Sequence, residues 1–214
     1  MKKRKITHAM IESAWKKFIK RFDLTKEQHA KFERYLVLLR EWNENINLTT
    51  ITEIPSIIQL HFTDSLAIRD FVDLQNKTIV DIGSGGGFPG IPLKILFNDL
   101  SVYLLEVSHK KTQFLEAVIT ELGLEDIIVW PNDWRTFLRK TEFQVDYFLA
   151  RASLQMDELL RMFKPSCLYN DATLIYWASK QWRPTEKELP FITKEETYSV
   201  NTRERKYVFL SKPD

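Results

Sequence analysis

A doubly wound α/β fold preceded by a helical prefix is what the sequence predicts, and three observations predict it. From residue 78 onward, short apolar runs alternate with stretches of helical periodicity, the pattern of parallel strands joined by crossover helices. One of those runs, TIVDIG, ends in a glycine cluster that passes directly into a helix. Open α/β sheets bind ligands at such junctions. Before residue 78 there is no strand pattern, and apolar residues recur at three- and four-residue steps.

Helices are expected over about 9–22 and about 26–42. Thr25, with Gln28 three residues later, forms a capping box ahead of the second, whose apolar face carries Phe32, Tyr35, Leu36, Leu39 and Trp42. A third is expected from Ile57 to Phe71, after Pro55. TIVDIG then reads as a buried parallel strand, and PGIPLKILF as a helix with Pro89 in its first turn. SVYLLE is the second strand, and HKKTQFLEAVITELG an amphipathic helix that Gly123 stops. DIIVW and VDYFLA are the third and fourth strands, Leu154 to Met162 is helical, and ATLIYWAS is the fifth strand. ETYSV and KYVFL, on either side of NTRER, form an antiparallel hairpin. The expected organisation is one structural unit, a helical extension over 1–75 packed on an α/β domain over 76–214.

Composition narrows the function classes. The 44% hydrophobic and 28% charged residues are those of an ordinary globular protein. No apolar stretch approaches the ~20 residues of a membrane span, and the N-terminus lacks the apolar core of a secretory signal. The single cysteine, Cys167, excludes an intrachain disulfide and a Cys-cluster metal site. A soluble, cytoplasmic monomer with no metal is therefore expected. Residues 1–40 carry twelve Lys or Arg against four Asp or Glu, and the remaining chain nineteen against twenty-five. A basic arm on a mildly acidic body suits a polyanion such as RNA, although a solvated helical face reads the same way.

The most informative stretch is Val80-Asp81-Ile82-Gly83-Ser84-Gly85-Gly86-Gly87-Phe88-Pro89-Gly90. Glycines there permit positive φ and let a ligand pass close to the backbone. Glu106 ends the next strand and is placed to accept two hydrogen bonds from ribose hydroxyls. A dinucleotide fingerprint can be drawn through Gly85, Gly87 and Gly90, but the register opposes it. In a dinucleotide site the first glycine directly follows the strand; here that is Gly83, and the third position falls on Phe88, which would crowd the helix–strand contact. The better frame is Asp81-x-Gly83-x-Gly85-x-Gly87, with a carboxylate at the strand tip. That carboxylate suits a ligand carrying an ammonium and a sulfonium and would repel a pyrophosphate. The bland alternative is a tight turn that holds nothing.

With EWNENINLTTITE, HFTDSL, LLEVSHKKTQFLEAV and the ARAS after the fourth strand, this loop resembles the glucose-inhibited-division-B family, the RsmG-type methyltransferases of small-subunit ribosomal RNA. The resemblance implies a Rossmann-like, class I S-adenosylmethionine-dependent fold with a seven-stranded, mostly parallel sheet and a C-terminal antiparallel hairpin. It implies S-adenosyl-L-methionine as cofactor, small-subunit RNA or the 30S subunit as partner, and methyl transfer to N7 of a guanine in the 16S decoding region. By position it carries cofactor contacts onto Gly83 and Phe88, the ribose acid onto Glu106, and a cofactor-side arginine onto Arg151. It places a basic residue of the site rim at Lys110 and a lysine after the fifth strand at Lys180. The family usually has an arginine and then a glutamate after the third strand; here Asp133-Trp134-Arg135 exchanges those charges, and Gln181 replaces a glycine.

The expected cofactor set is thus Asp81, Gly83, Ser84, Gly85, Gly87, Phe88, Glu106, Val107, Asp133, Trp134, Arg135 and Arg151, with Arg151, Lys110 and Lys180 nearest the chemistry. Arg151 has a structural alternative, pairing with an acid such as Asp81. Lys110 and Lys111 are expected at phosphates or in solvent. Trp134 either stacks on adenine or belongs to the core. His61 and Asp64 share a helix face and suggest a hydrogen-bonded pair, while Asn43, Asn45 and Asn47 organise a turn. Guanine N7 has a free lone pair, so in-line displacement needs no general base. The competing readings are a methyltransferase on another RNA, a protein or a small molecule; a ribosome-associated binding module without activity; and an NAD oxidoreductase.

Overall fold

The computed structural model describes residues 6–213. The basic residues Lys2, Lys3, Arg4 and Lys5, counted in the arm above, lie outside them. Helix α1 spans His8–Phe22 and α2 Lys26–Asn43, the latter entered through the reciprocal Thr25–Gln28 capping box. The third helical stretch starts earlier than expected and is broken into pieces. It runs through α3, Ile54–Ile57, a π-helical segment, Ile58–Thr63, α4, Asp64–Leu66, and a 3-10 turn, Ala67–Asp70. The early start follows from Pro55, which occupies a first-turn position where its missing N–H costs nothing.

The sheet contains β1 Thr78–Ile82, β2 Ser101–Leu105, β3 Ile127–Trp130, β4 Tyr147–Arg151, β5 Thr173–Ser179, β6 Ile192–Val200 and β7 Arg203–Leu210. Its order is β3-β2-β1-β4-β5-β7-β6, parallel except for β7, which runs antiparallel to β5 and β6. Helices α5, Gly90–Leu96, and α6, His109–Leu122, follow β1 and β2, and Gly123 closes α6 in the left-handed conformation. Pro89 caps α5 rather than sitting within it. A helix not foreseen, α7, Trp134–Lys140, follows β3, and Asp133 caps it by accepting from the Thr136 backbone N–H. Helix α8, Met156–Leu159, begins two residues later than expected, and both hairpin strands are longer than the sequence suggested.

Alternate residues of the central strands face opposite layers, which is why these strands read as continuous apolar runs. Ile79 and Leu149 join the core under α1, α2, α5 and α6; Val80, Ile82, Phe148 and Ala150 join the core under α7 and α8. The helical prefix shares the first of these cores. Phe18, Phe32, Tyr35 and Phe62 form a connected aromatic cluster that extends to Phe88 of the glycine loop. Among the described residues no helix is long and apolar enough to cross a membrane.

Candidate functional site

Because β1 to β4 run parallel, their C-terminal ends meet at one edge: Ile82 pairs with Leu105 and with Ala150, and Leu105 with Trp130. The loops leaving that edge enclose a cavity of about 570 Å³. Gly83, Glu106, Val107, Asp133, Trp134 and Arg135 line it, as the sequence suggested. Nothing in the sequence singled out Asn132, Leu154 or Glu158, which line it too; Ser153 was present only as the end of the ARAS motif.

The glycine loop is shaped by its neighbours as much as by its own residues. Gly83, Gly85 and Gly87 all have positive φ. A Cβ on Gly83 would lie 2.7 Å from the Ser153 Cβ, and one on Gly87 would lie 2.7 Å from the Tyr35 hydroxyl. The loop is therefore pinned between the post-β4 turn and helix α2, whose Tyr35 hydroxyl donates to the Gly86 carbonyl. Next to Ser153 in the chain, Ala152 adopts a left-handed φ of 53°, a conformation disfavoured for a residue with a Cβ.

Glu106 is almost wholly buried, and its two oxygens accept from the Gly85 and Ser108 backbone N–H groups, each at 2.9 Å. A carboxylate offers about four acceptor positions, so two backbone bonds fix its orientation and leave capacity for a ligand diol. Asp81 is fully buried. Its Oδ2 accepts from Gly90 N–H at 2.9 Å, while Oδ1 has no partner. Burial, only partly opposed by the Gly90 N–H and the charge of Arg151, raises its pKa to about 7. Ser84 donates to the Asp81 carbonyl, and with Gly85, Gly87 and Phe88 it shapes the loop from behind without lining the cavity.

The charge-exchanged segment after β3 is accounted for locally. Asp133 caps α7, and the Thr136 N–H holds its carboxyl below the usual range. Arg135 forms a two-pronged pair with Glu158, at 2.7 and 2.8 Å. Trp134 belongs to the core. It packs edge-on against Phe148, donates to the Glu158 carbonyl, and still contributes to the cavity wall.

A second concavity of about 550 Å³ lies beside the first and shares Ala152 with it. It is lined by Arg151, Lys180, Arg203 and Arg205, with Gln181 and Glu204. Lys180 is paired with Glu204 at its rim. Lys110 is not brought to either cavity; it faces a separate depression with Glu41, Trp42 and Asn45, and its neighbour Lys111 lines the first cavity instead. This follows from helical geometry, since consecutive residues of α6 point about 100° apart.

Arg151 pairs with an acid, but the acid is Asp64 at 3.3 Å and not Asp81. Asp64 also accepts from Arg205 at 2.8 Å and from the Tyr198 hydroxyl at 2.9 Å. His61 and Asp64 thus do not form the pair expected from their spacing; each instead contacts Arg151. The π-helical turn between them explains the difference, because its wider winding shifts the angular offset of residues three apart. No cluster of three or more His, Cys, Asp or Glu among the described residues is arranged to hold a metal ion.

A family model described as rRNA small subunit methyltransferase G, GidB, matches residues 28–208. A protein named Ribosomal RNA small subunit methyltransferase G from Geobacillus sp. (strain WCH70) is 40% identical over 161 residues, covering 74% of this chain and 65% of its own length. One of the same name from Desulfitobacterium hafniense (strain Y51) is 42% identical over 145 residues, covering 67% and 60%. This chain therefore spans less than two thirds of the length of the curated relatives it matches. Among solved structures, the METTL16 MTase domain superposes with a TM-score of 0.57 at 16% identity, covering 89% of this chain and 83% of that one. A SAM-dependent methyltransferase from Aquifex aeolicus gives 0.52 at 16% identity, covering 73% and 93%. M. capricolum TrmK, solved with S-adenosyl-homocysteine, gives 0.54 at 15% identity, covering 70% and 67%. At these identities the likeness is one of fold.

Proposed function

Since the chain belongs to the rRNA small subunit methyltransferase G family, we propose that it transfers a methyl group from S-adenosylmethionine to N7 of a guanine in small-subunit ribosomal RNA. The observation that carries this reading is the pair of cavities meeting at Ala152, one with a buried ribose-type acid and a glycine wall, the other lined by basic side chains. The first suits a nucleoside with a cationic tail and the second a polyanion. The cytoplasm is where such a partner is found, and the chain acts there as a monomer on RNA or on the 30S subunit.

The residues fit the cofactor on their own chemistry. Glu106 would hold the ribose, Gly83 would allow the ligand against the backbone, and Val107, Leu154 and Trp134 would bound the adenine. Asp81 does not itself line the cavity, and its unpartnered Oδ1 is what the cationic end would satisfy through water. When bound, S-adenosylmethionine supplies an electrophilic methyl on a sulfonium. The chain positions the guanine so that the N7 lone pair lies in line with that methyl, and it needs to remove no proton. Arg151 orients the base through O6 or steadies the cofactor. It leaves N7 free, because a bidentate arginine–guanine pair would occupy the nucleophile. Lys180, Arg203 and Arg205 neutralise phosphates around the target.

The direct test supplies methyl-labelled S-adenosylmethionine and 30S subunits from cells lacking this gene, and maps label by N7-specific strand scission. Label at one guanine N7 is expected, and Lys180→Ala with Arg203→Ala should make RNA affinity fall less steeply with salt. Label on another RNA alone would keep the chemistry and move the substrate. Intact cofactor binding with no transfer to any RNA would leave a binding module.

Asp81 gives a further expected result. Its carboxyl is protonated in much of the free protein below its pKa of about 7, and a cationic ligand favours the ionised form. Cofactor binding at pH 6 should therefore release close to one proton, with affinity rising as the pH approaches 7. Calorimetry in buffers of different ionisation enthalpy measures this. A heat independent of buffer at pH 6 would place the cationic end of the ligand elsewhere.

A further inference from the structure

Arg151 ends β4, yet most of its partners come from the helical prefix. Its Nη1 donates to Ser65 Oγ at 3.0 Å, and its Nη2 to the Leu60 carbonyl at 3.2 Å. Nη2 also lies 2.8 Å from Nδ1 of His61. A guanidinium has no acceptor, so in that contact Nδ1 must accept and the imidazole proton must sit on Nε2. Nε2 lies 2.7 Å from Thr49 Oγ1, which accepts it. Thr49 is held in turn by Asn43, whose Oδ1 accepts from the Leu48 and Thr49 N–H groups at 2.9 Å and whose Nδ2 donates to the Thr49 carbonyl at 3.0 Å. The ring is sandwiched as well as bonded: His61 stacks on Phe88 of the glycine loop at 4.4 Å and 9°, and Phe88 lies 5.6 Å from the Arg151 guanidinium.

We infer that Thr49 and His61 are positioning residues for Arg151, a relay that runs from the Asn43 turn to the lining of the basic cavity and sets the angle at which the guanidinium meets the substrate. The inference rests on the functional reading above only for what Arg151 does. A neutral imidazole held as an acceptor is what a cation can lean on, whereas a free ring would titrate near neutrality and repel it. Burial, with the charges of Arg151 and Arg205, pushes the His61 pKa down to about 3, in keeping with a ring that stays neutral. Orienting a charged group through a fixed tautomer is the work that outer partners do for metal-bound histidines, and the same geometry serves a guanidinium.

The test has two arms on the full chain. Imidazole nitrogen NMR of histidine-labelled protein should show His61 as the Nε2–H tautomer with no titration between pH 5 and 8. Thr49→Val, which keeps shape and removes the acceptor, should lower the single-turnover transfer rate to 30S subunits about tenfold or more. Thr49→Ser should restore the rate. An Nδ1–H tautomer, titration at the ordinary histidine value, or parental rates in Thr49→Val would each overturn the relay. If the parent chain labels no ribosomal RNA the functional reading falls, and the tautomer measurement still decides the relay.

Discussion

Glu106→Ala is expected to abolish methyl transfer at micromolar cofactor and to weaken S-adenosylhomocysteine binding by about two orders of magnitude. Hydrogen bonds to a charged acceptor are worth about 1.5–3 kcal/mol each, and a ribose diol would make two. Truncation has a second effect that a ligand-only contact would not have. The Gly85 and Ser108 N–H groups lose their acceptor, so the glycine loop and the entry to α6 lose the tie that registers them to one another. Glu106→Gln keeps the volume and one acceptor oxygen, so only one of the two backbone N–H groups keeps its partner. Intermediate affinity is expected. Calorimetric titration with S-adenosylhomocysteine measures both variants, and undiminished affinity in Glu106→Ala would remove the ribose from this cavity.

Asp64→Ala is expected to cost about 3–5 kcal/mol of stability, the range for removing one partner of a buried ion pair. The Asp64 side chain is 1% exposed, and Arg151 and Arg205 both converge on its Oδ2. Without it two guanidinium groups are left facing one another in a poorly hydrated site, and the Tyr198 hydroxyl loses its acceptor. Burial and the neighbouring Asp64 charge push the Tyr198 phenol well above its ordinary value, so in the parent it meets Asp64 as a neutral donor. Chemical denaturation followed by circular dichroism gives the figure. A loss below about 1 kcal/mol would mean that water reaches the cluster and screens it as at a surface. Asp64→Asn, which keeps the shape and one acceptor, should fall between the two.

The cluster also explains how three distant segments become one site. Asp64 comes from the helical prefix, Arg151 from the end of β4, Tyr198 and Arg205 from the hairpin. The hairpin is thereby fastened to the prefix, and Asn201 at its tip reaches Gln59 of the π-helical segment at 3.2 Å. The prefix is consequently not an accessory to the sheet. It supplies the floor under the glycine loop through Tyr35, which stacks on Phe88 of that loop, and the orientation of Arg151 through His61 and Asp64.

Much of this was legible in the residues themselves. Period-two and period-3.6 patterns, capping residues and the glycine that ends α6 report local backbone preferences, and these set the seven strands and most helices close to where they stand. The glycine loop and Glu106 were legible for the same reason: a strand tip, a run of residues without Cβ, and an acid one strand away are relations along the chain or between adjacent parallel strands. What the sequence could not show is which side chains meet across elements. That Arg151 leans on Asp64 and not Asp81, that Lys111 rather than Lys110 turns toward the cavity, and that Arg135 is taken up by Glu158 depend on helix phase and on packing between segments far apart in the chain. Local propensity is a matter of a few neighbours and survives in the unfolded chain, whereas pairing of buried charges is decided only when the layers close and water is removed, and that is where this site acquires its geometry.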